Sequence, residues 1–208
     1  LLYRYLLFIR FALVNLVAGA LLVGAYLQGW LDGAIDAYLA ELSLFIFAVF
    51  VYGLMLCGAK IWRRSVELND LMAGTLPPDS RAGRFLKETE NAGPESRTIQ
   101  ADAFRLKLTD GIVDVRHIAN ALVLLGLIGT VIGFIIALSG VDPDTAKNAD
   151  SVATMVATLI NGMSVALYTT LVGAVLHIWL IINYRILTSG TVDMIAAVIR
   201  LSESRARN

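Results

Sequence analysis

The chain has 208 residues, 57% of them hydrophobic, and its 17 basic and 17 acidic side chains cancel to zero net charge. A mean hydropathy of +0.71 excludes an ordinary soluble domain. The single cysteine, Cys57, excludes a disulfide framework or a cysteine-based metal site within one chain. Charged residues gather between four apolar runs, each about as long as the roughly 20 residues a helix needs to cross ~30 Å of hydrocarbon. The expected fold is therefore all-α and polytopic, with four transmembrane helices.

Residues 1–9 set Tyr3, Arg4 and Tyr5 among leucines, a composition suited to the membrane–water interface. The first span is expected from Phe11 to about Leu31, with Arg10 at one rim and Trp30 at the other. It is too long for a secretory h-region and ends in no small-x-small pattern, so no cleavable signal is expected. A short loop with Asp32, Asp36 and Glu41 leads to a second span over about 42–62, whose far end carries Lys60, Arg63 and Arg64.

Residues 63–116 are the one sizeable polar stretch. Val66, Leu68, Leu71 and Met72 extend the second helix, and Thr75-Leu76-Pro77-Pro78-Asp79 breaks it, because proline removes a donor and restricts its predecessor. A short helix is expected over Ser80–Glu90, then a second break at Asn91-Ala92-Gly93-Pro94. From Ser96, apolar residues recur at Ile99, Ala103, Leu106 and Val113, and again at Leu108, Ile112 and Val115. That spacing predicts an amphipathic helix running directly into the third span, His117 to about Ser139. An acidic turn-rich loop follows through Asp150. The fourth run, Ser151 to Tyr184, is about 50 Å long at 1.5 Å per residue and must tilt or protrude. The tail over 191–208 repeats apolar residues at Val192, Ile195, Ile199 and at Met194, Val198, Leu201, the pattern of an amphipathic helix.

The expected organisation is transmembrane helices 1 and 2 within 1–62, a cytoplasmic helical loop over 63–116, helices 3 and 4 within 117–184, and a cytoplasmic amphipathic helix over 185–208. Helices 2, 3 and 4 are expected to extend past the bilayer. With an even number of spans, one side of the membrane holds every Lys and Arg except Lys147. The positive-inside rule places both termini and the long loop in the cytoplasm.

Chemistry concentrates in two stretches. In Leu125-Gly126-Leu127-Ile128-Gly129-Thr130-Val131-Ile132-Gly133, helical spacing puts Gly126, Thr130, Gly133 and Ala137 on one face. In the fourth run Gly162, Ala166, Thr170, Gly173 and His177 form a second stripe, with Thr169 beside it. Small faces let helices approach closely, and hydroxyls on them offer polar partners in hydrocarbon. Each threonine has a bland reading as well, a hydroxyl satisfied by the carbonyl one turn back. No Asp, Glu or Arg lies deep in any span, whereas membrane pumps usually carry their ion on an ionisable group there. A conducting role therefore requires an acid from another polypeptide. The glycine run is no phosphate loop, since no Lys-Ser/Thr follows Gly133. His117 and His177 have no carboxylate cluster beside them in sequence, so neither an enzyme nor a metal centre is expected. His117 suits the interface; His177 suits either packing or a proton exit.

At these stretches the sequence resembles the MotA/TolQ/ExbB proton-channel family. Leu125 to Gly133 matches its Gly-Leu-x-Gly-Thr-Val-x-Gly signature, and Gly162, Ala166-Leu167, Thr170 and Gly173 match Gly-x-x-x-Ala-Leu-x-x-Thr-x-x-Gly. The ordered pair covers about 121–184. The resemblance implies a homopentamer in the bacterial inner membrane around a dimer of single-span MotB/TolR/ExbD-like partners, which bring a transmembrane Asp. It also implies that H⁺ or Na⁺ flow turns the ring, with helices 3 and 4 lining the pore. On that reading Thr130, Thr170, Ala166, Gly133, Thr169 and His177 belong to the ion pathway, and Gly126, Gly129, Gly162 and Gly173 to helix packing. No cofactor and no nucleic acid is implied, and lipid is the surrounding partner. Val165 stands where the ExbB branch has a glutamate, Val123 where several members have a proline, and the four-span topology is the MotA one. The competing readings are a scaffold that packs by glycine stripes and a small secondary transporter.

Overall fold

The computed structural model describes residues 6–28, 37–73, 80–90, 93–141 and 149–207, and among them finds five helices and no strand. These are α1 (Leu6–Leu27), α2 (Ala37–Ala73), α3 (Arg81–Glu90), α4 (Pro94–Ser139) and α5 (Ala149–Arg207). Four of the five, all but α3, are long and apolar enough to cross a membrane, and the protein is an all-α polytopic membrane protein. The Tyr3–Tyr5 interface segment, Trp30, the acidic loop at Asp32 and Asp36, the break at 75–79 and the turn over 142–148 lie outside the described residues.

Helix α4 runs without a break through the whole amphipathic segment and the third apolar run, beginning at Pro94, where a missing N–H costs nothing. Helix α5 differs from the expected division near 185. Its 59 residues form one helix to Arg207: no proline interrupts it, and the Thr188-Ser189-Gly190-Thr191 cluster stays helical, with the Thr188 and Thr191 hydroxyls donating one turn back to Tyr184 O and Leu187 O. At 1.5 Å per residue α4 and α5 are about 70 and 90 Å long, well beyond ~30 Å of hydrocarbon.

The chain forms two compact units. The first comprises Leu1–Leu16, Leu54–Arg116 and Ile182–Asn208. Its core is Leu71, Ala82, Phe85, Phe104, Leu108, Met194, Ile195 and Val198, with Phe85 and Phe104 stacked at 4.7 Å. Helix α3 joins this core by burying Ala82, Phe85, Leu86 and Thr89 on one face while Arg81, Arg84, Lys87 and Glu88 stay exposed. Ser80 caps it, its Oγ accepting from Gly83 N at 2.9 Å. Lys60 of α2 reaches α4 by donating to Gly111 O at 2.6 Å and pairing with Asp114 at 2.8 Å. Arg64, 6% exposed, pairs with Glu67 at 3.3 Å. Helix α1 buries no residue of its own. It is tied by Phe11 against Gly58, by Leu7 filling the hollow at Gly190, and by an amide pair, Asn15 Nδ2 donating to Asn183 Oδ1 at 2.8 Å.

The second unit comprises Val17–Gly53 and His117–Ile181. Phe50 of α2 packs on Trp179 of α5 at 4.9 Å between ring centroids, and Gly53 admits Ile118 and Leu180. Leu124, Leu127, Val131, Ile135 and Leu138 of α4 are exposed, as are Leu167, Leu171, Val175 and Ile178 of α5. A row of large exposed aliphatics is the surface a bilayer requires.

Candidate ion-pathway site

The antiparallel α4 and α5 of the second unit meet along a seam of glycines. A Cβ placed on Gly133 would stand 2.5 Å from Ala166 N and from Gly162 O. One on Gly162 would collide with Ala137 N, and one on Gly173 would lie 2.7 Å from Leu122 O. Backbone against backbone at this range excludes any side chain, so only glycine fits at these positions. At Gly129 the space is taken by the Thr169 side chain. Thr169 is fully buried, and its hydroxyl donates to Val165 O of its own helix at 2.8 Å.

The seam brings Thr130 and Thr170 together, half-buried, with their hydroxyl oxygens 2.5 Å apart. Gly126 O lies 3.1 Å from Thr130 Oγ1 and 3.2 Å from Thr170 Oγ1. Two hydroxyl protons therefore serve three contacts. One hydroxyl donates to the carbonyl, and the other donates either to its partner hydroxyl or to the same carbonyl. In these two arrangements both protons point inward and the pair offers oxygen lone pairs outward; a hydroxyl that rotates out of the shared contact offers a donor instead. With both protons inward, such a site receives a donor, either a protonated carboxyl or a cation.

Ala166 and Gly133 stand one turn away, buried where the helices touch. Thr169, Ala166 and Gly133 thus lie inside the seam, while Thr130 and Thr170 lie at its edge. Gly126, Gly129, Gly162 and Gly173 are all buried in the same contact. His177 is not brought to the hydroxyl pair. Its Nδ1 lies 2.7 Å from Ala119 O of α4. A carbonyl only accepts, so Nδ1 carries a proton and the Nε2 position is left for other partners.

Two participants escape sequence reasoning. Gly126 O, the acceptor common to both threonines, is a backbone atom and leaves no compositional trace. Gly140 against the Thr158 side chain extends the seam beyond the signature motifs, a glycine–threonine match visible only once antiparallel register is known. Outside this site, in the first unit, the Asn15–Asn183 pair did have a signal, since each is an amide inside an apolar run. Among the described residues no three His, Cys, Asp or Glu side chains gather into a metal-binding group.

Fold and site define a class: a four-span helical membrane protein whose last two apolar helices close on glycine and hold a hydroxyl pair at the seam. The profile of the MotA/TolQ/ExbB proton channel family matches residues 89–198, more than half the chain. The protein belongs to that family and is a proton-channel membrane protein of its type. The matched region holds all of α4 and most of α5, hence the whole seam. No curated protein and no solved structure matches the chain.

Proposed function

We propose that this chain is the A-type subunit of an ion-driven rotary motor of the bacterial inner membrane, with both termini cytoplasmic. Five copies surround two single-span partners, and H⁺, or Na⁺, flowing through the assembly turns the ring and delivers work across the envelope. The chain itself catalyses no covalent chemistry. The observation that carries this reading is the Thr130–Thr170 pair, which presents acceptors in apolar spans that supply no acid of their own. A partner Asp supplies the missing acid. Protonated, it donates to the hydroxyl pair; ionised, it no longer makes that bond and moves on. Thr130 and Thr170 act on the ion directly. Gly133, Ala166 and Thr169 set the helix spacing that holds the pair, and His177 serves the exit toward the cytoplasm. One charge moving through 100 mV releases ~2.3 kcal/mol, enough for a few ions to drive a step of a packed ring.

The test is Thr170→Val beside Thr170→Ser, co-expressed with the single-span partner. Thr130 keeps its bond to Gly126 O in the valine variant, so assembly should survive while ion-driven flux and work are lost. The serine variant should retain both. Normal flux in Thr170→Val removes the pathway assignment and leaves a scaffold that packs by its glycines.

A further inference from the structure

We propose that the outward face of α4 over 99–114 and that of α5 over 185–193 are two halves of one contact between copies of this chain, α4 of one copy lying against α5 of the next. The inference rests on the ring proposed above and names where its members touch beyond the bilayer. On α4, Ile99 and Leu106 are each 70% exposed, with exposed Ala103 between them. They share one face by the i, i+4, i+7 rule. The opposite face of the same segment is already buried, through Phe104, Leu108, Ile112 and Val115. A helix that only met water there would carry polar residues at Ile99 and Leu106. Lipid does not cover this stripe. Leu106 precedes the apolar run at His117 by about 16 Å of helix, and exposed Asp102, Arg105, Lys107 and Asp110 surround it.

Helix α5 offers the matching half. Val192 is 58% exposed, flanked by exposed Arg185, Ser189 and Asp193. The shared core sets Phe104 and Leu108 at the level of Met194, Ile195 and Val198. Lys107 therefore stands within about a turn of the level of Asp193, and Asp114 within about a turn of Arg185. Asp114 remains 68% exposed while bound to Lys60. Copies related by rotation about an axis normal to the membrane keep each residue at its own height. Lys107 of one copy then meets Asp193 of the next, Asp114 meets Arg185, and Leu106 meets Val192 within about a turn. In each helix the charge directly follows the apolar residue, at 106–107 and 192–193, so antiparallel facing puts the opposite charges on the same flank. Two different faces that fit each other make a head-to-tail contact, which closes into a ring.

The experiment co-expresses two differently tagged full-length copies, one with Leu106→Cys and one with Val192→Cys, and treats membranes with a short bismaleimide. Native Cys57 is fully buried and stays silent. A cross-linked species bearing both tags is expected, with none from either variant alone. Lys107→Glu or Asp193→Lys should each lower its yield about fivefold, and both reversals together should restore it. These residues are exposed, so the reversals leave folding intact. If tagged copies co-purify but the cysteines do not cross-link, the contact is elsewhere and the ring stands. If copies never co-purify, contact and ring fall together. Failure of the double reversal to restore the yield overturns the charge pairing and the register it sets between the two copies.

Discussion

Replacing Gly133 by alanine tests whether seam closeness holds the hydroxyl pair. The new Cβ would sit 2.5 Å from Ala166 N and Gly162 O, against about 3.4 Å for ordinary contact. Both obstacles are backbone atoms and cannot swing aside, so the helices must part by about 0.9 Å, the difference between those two distances. Carried rigidly to the next turn, that displacement stretches the 2.5 Å Thr130–Thr170 contact to about 3.4 Å, past the range of a sound O–H···O bond. Overpacking costs about 1–3 kcal/mol, and a lost interhelical bond in a membrane about 0.6 kcal/mol. A total near 2 kcal/mol corresponds to a melting temperature lower by about 4–8 °C. The buried thiol of Cys57 supplies the assay, since a fluorogenic maleimide labels it only on unfolding. Gly24 has nothing within 4 Å of its Cβ position, so Gly24→Ala is the control and should leave the melt unchanged or slightly raised. Equal melts for Gly133→Ala and the parent protein, or a larger fall for Gly24→Ala, would refute the reasoning.

Three further outcomes are expected. Asn183→Leu removes the interhelical partner of Asn15, whose Nδ2 keeps Phe11 O at 2.7 Å, and should cost about 1 kcal/mol in the same thiol assay, with Asn15→Leu added in the double variant recovering part of it. Phe104→Ala empties the ring stacked on Phe85 and should cost about 3–4 kcal/mol, seen as early labelling on heating. Thr130→Ser keeps a hydroxyl at the seam and should keep ion flux, whereas Thr130→Val should lose it; equal flux in both argues for the scaffold reading.

The four spans were legible because their signal is one-dimensional: apolar runs of sufficient length with charges between them. The continuity of α4 was legible for a similar reason, since Ile99 to Val115 keep helical period up to the third run with no proline and only Gly111 against it. The continuity of α5 past Tyr184 was less visible. A change from wholly apolar to amphipathic pattern resembles a boundary, yet the backbone hydrogen bonds do not depend on which face is polar. At the seam, periodicity displays the small faces of both helices but not what they face. Gly133 and Ala166 read equally well as walls of a path or as partners of each other, and only the antiparallel register, which joins residues 33 apart in sequence, distinguishes the two. The role of Gly126 O follows from the same register.

The sharing of one carbonyl by two hydroxyls gives the pair no intrinsic polarity. Thr130 can hold Gly126 O while Thr170 donates to it, or the roles can be exchanged, and neither distance favours one choice over the other. On the proposed reading, a carrier arriving from either side of the membrane would meet the same pair after one flip of its O–H bonds. In the motor proposed above, direction would then be imposed by the gradient outside the pair, and reversing that gradient would be expected to reverse the motion.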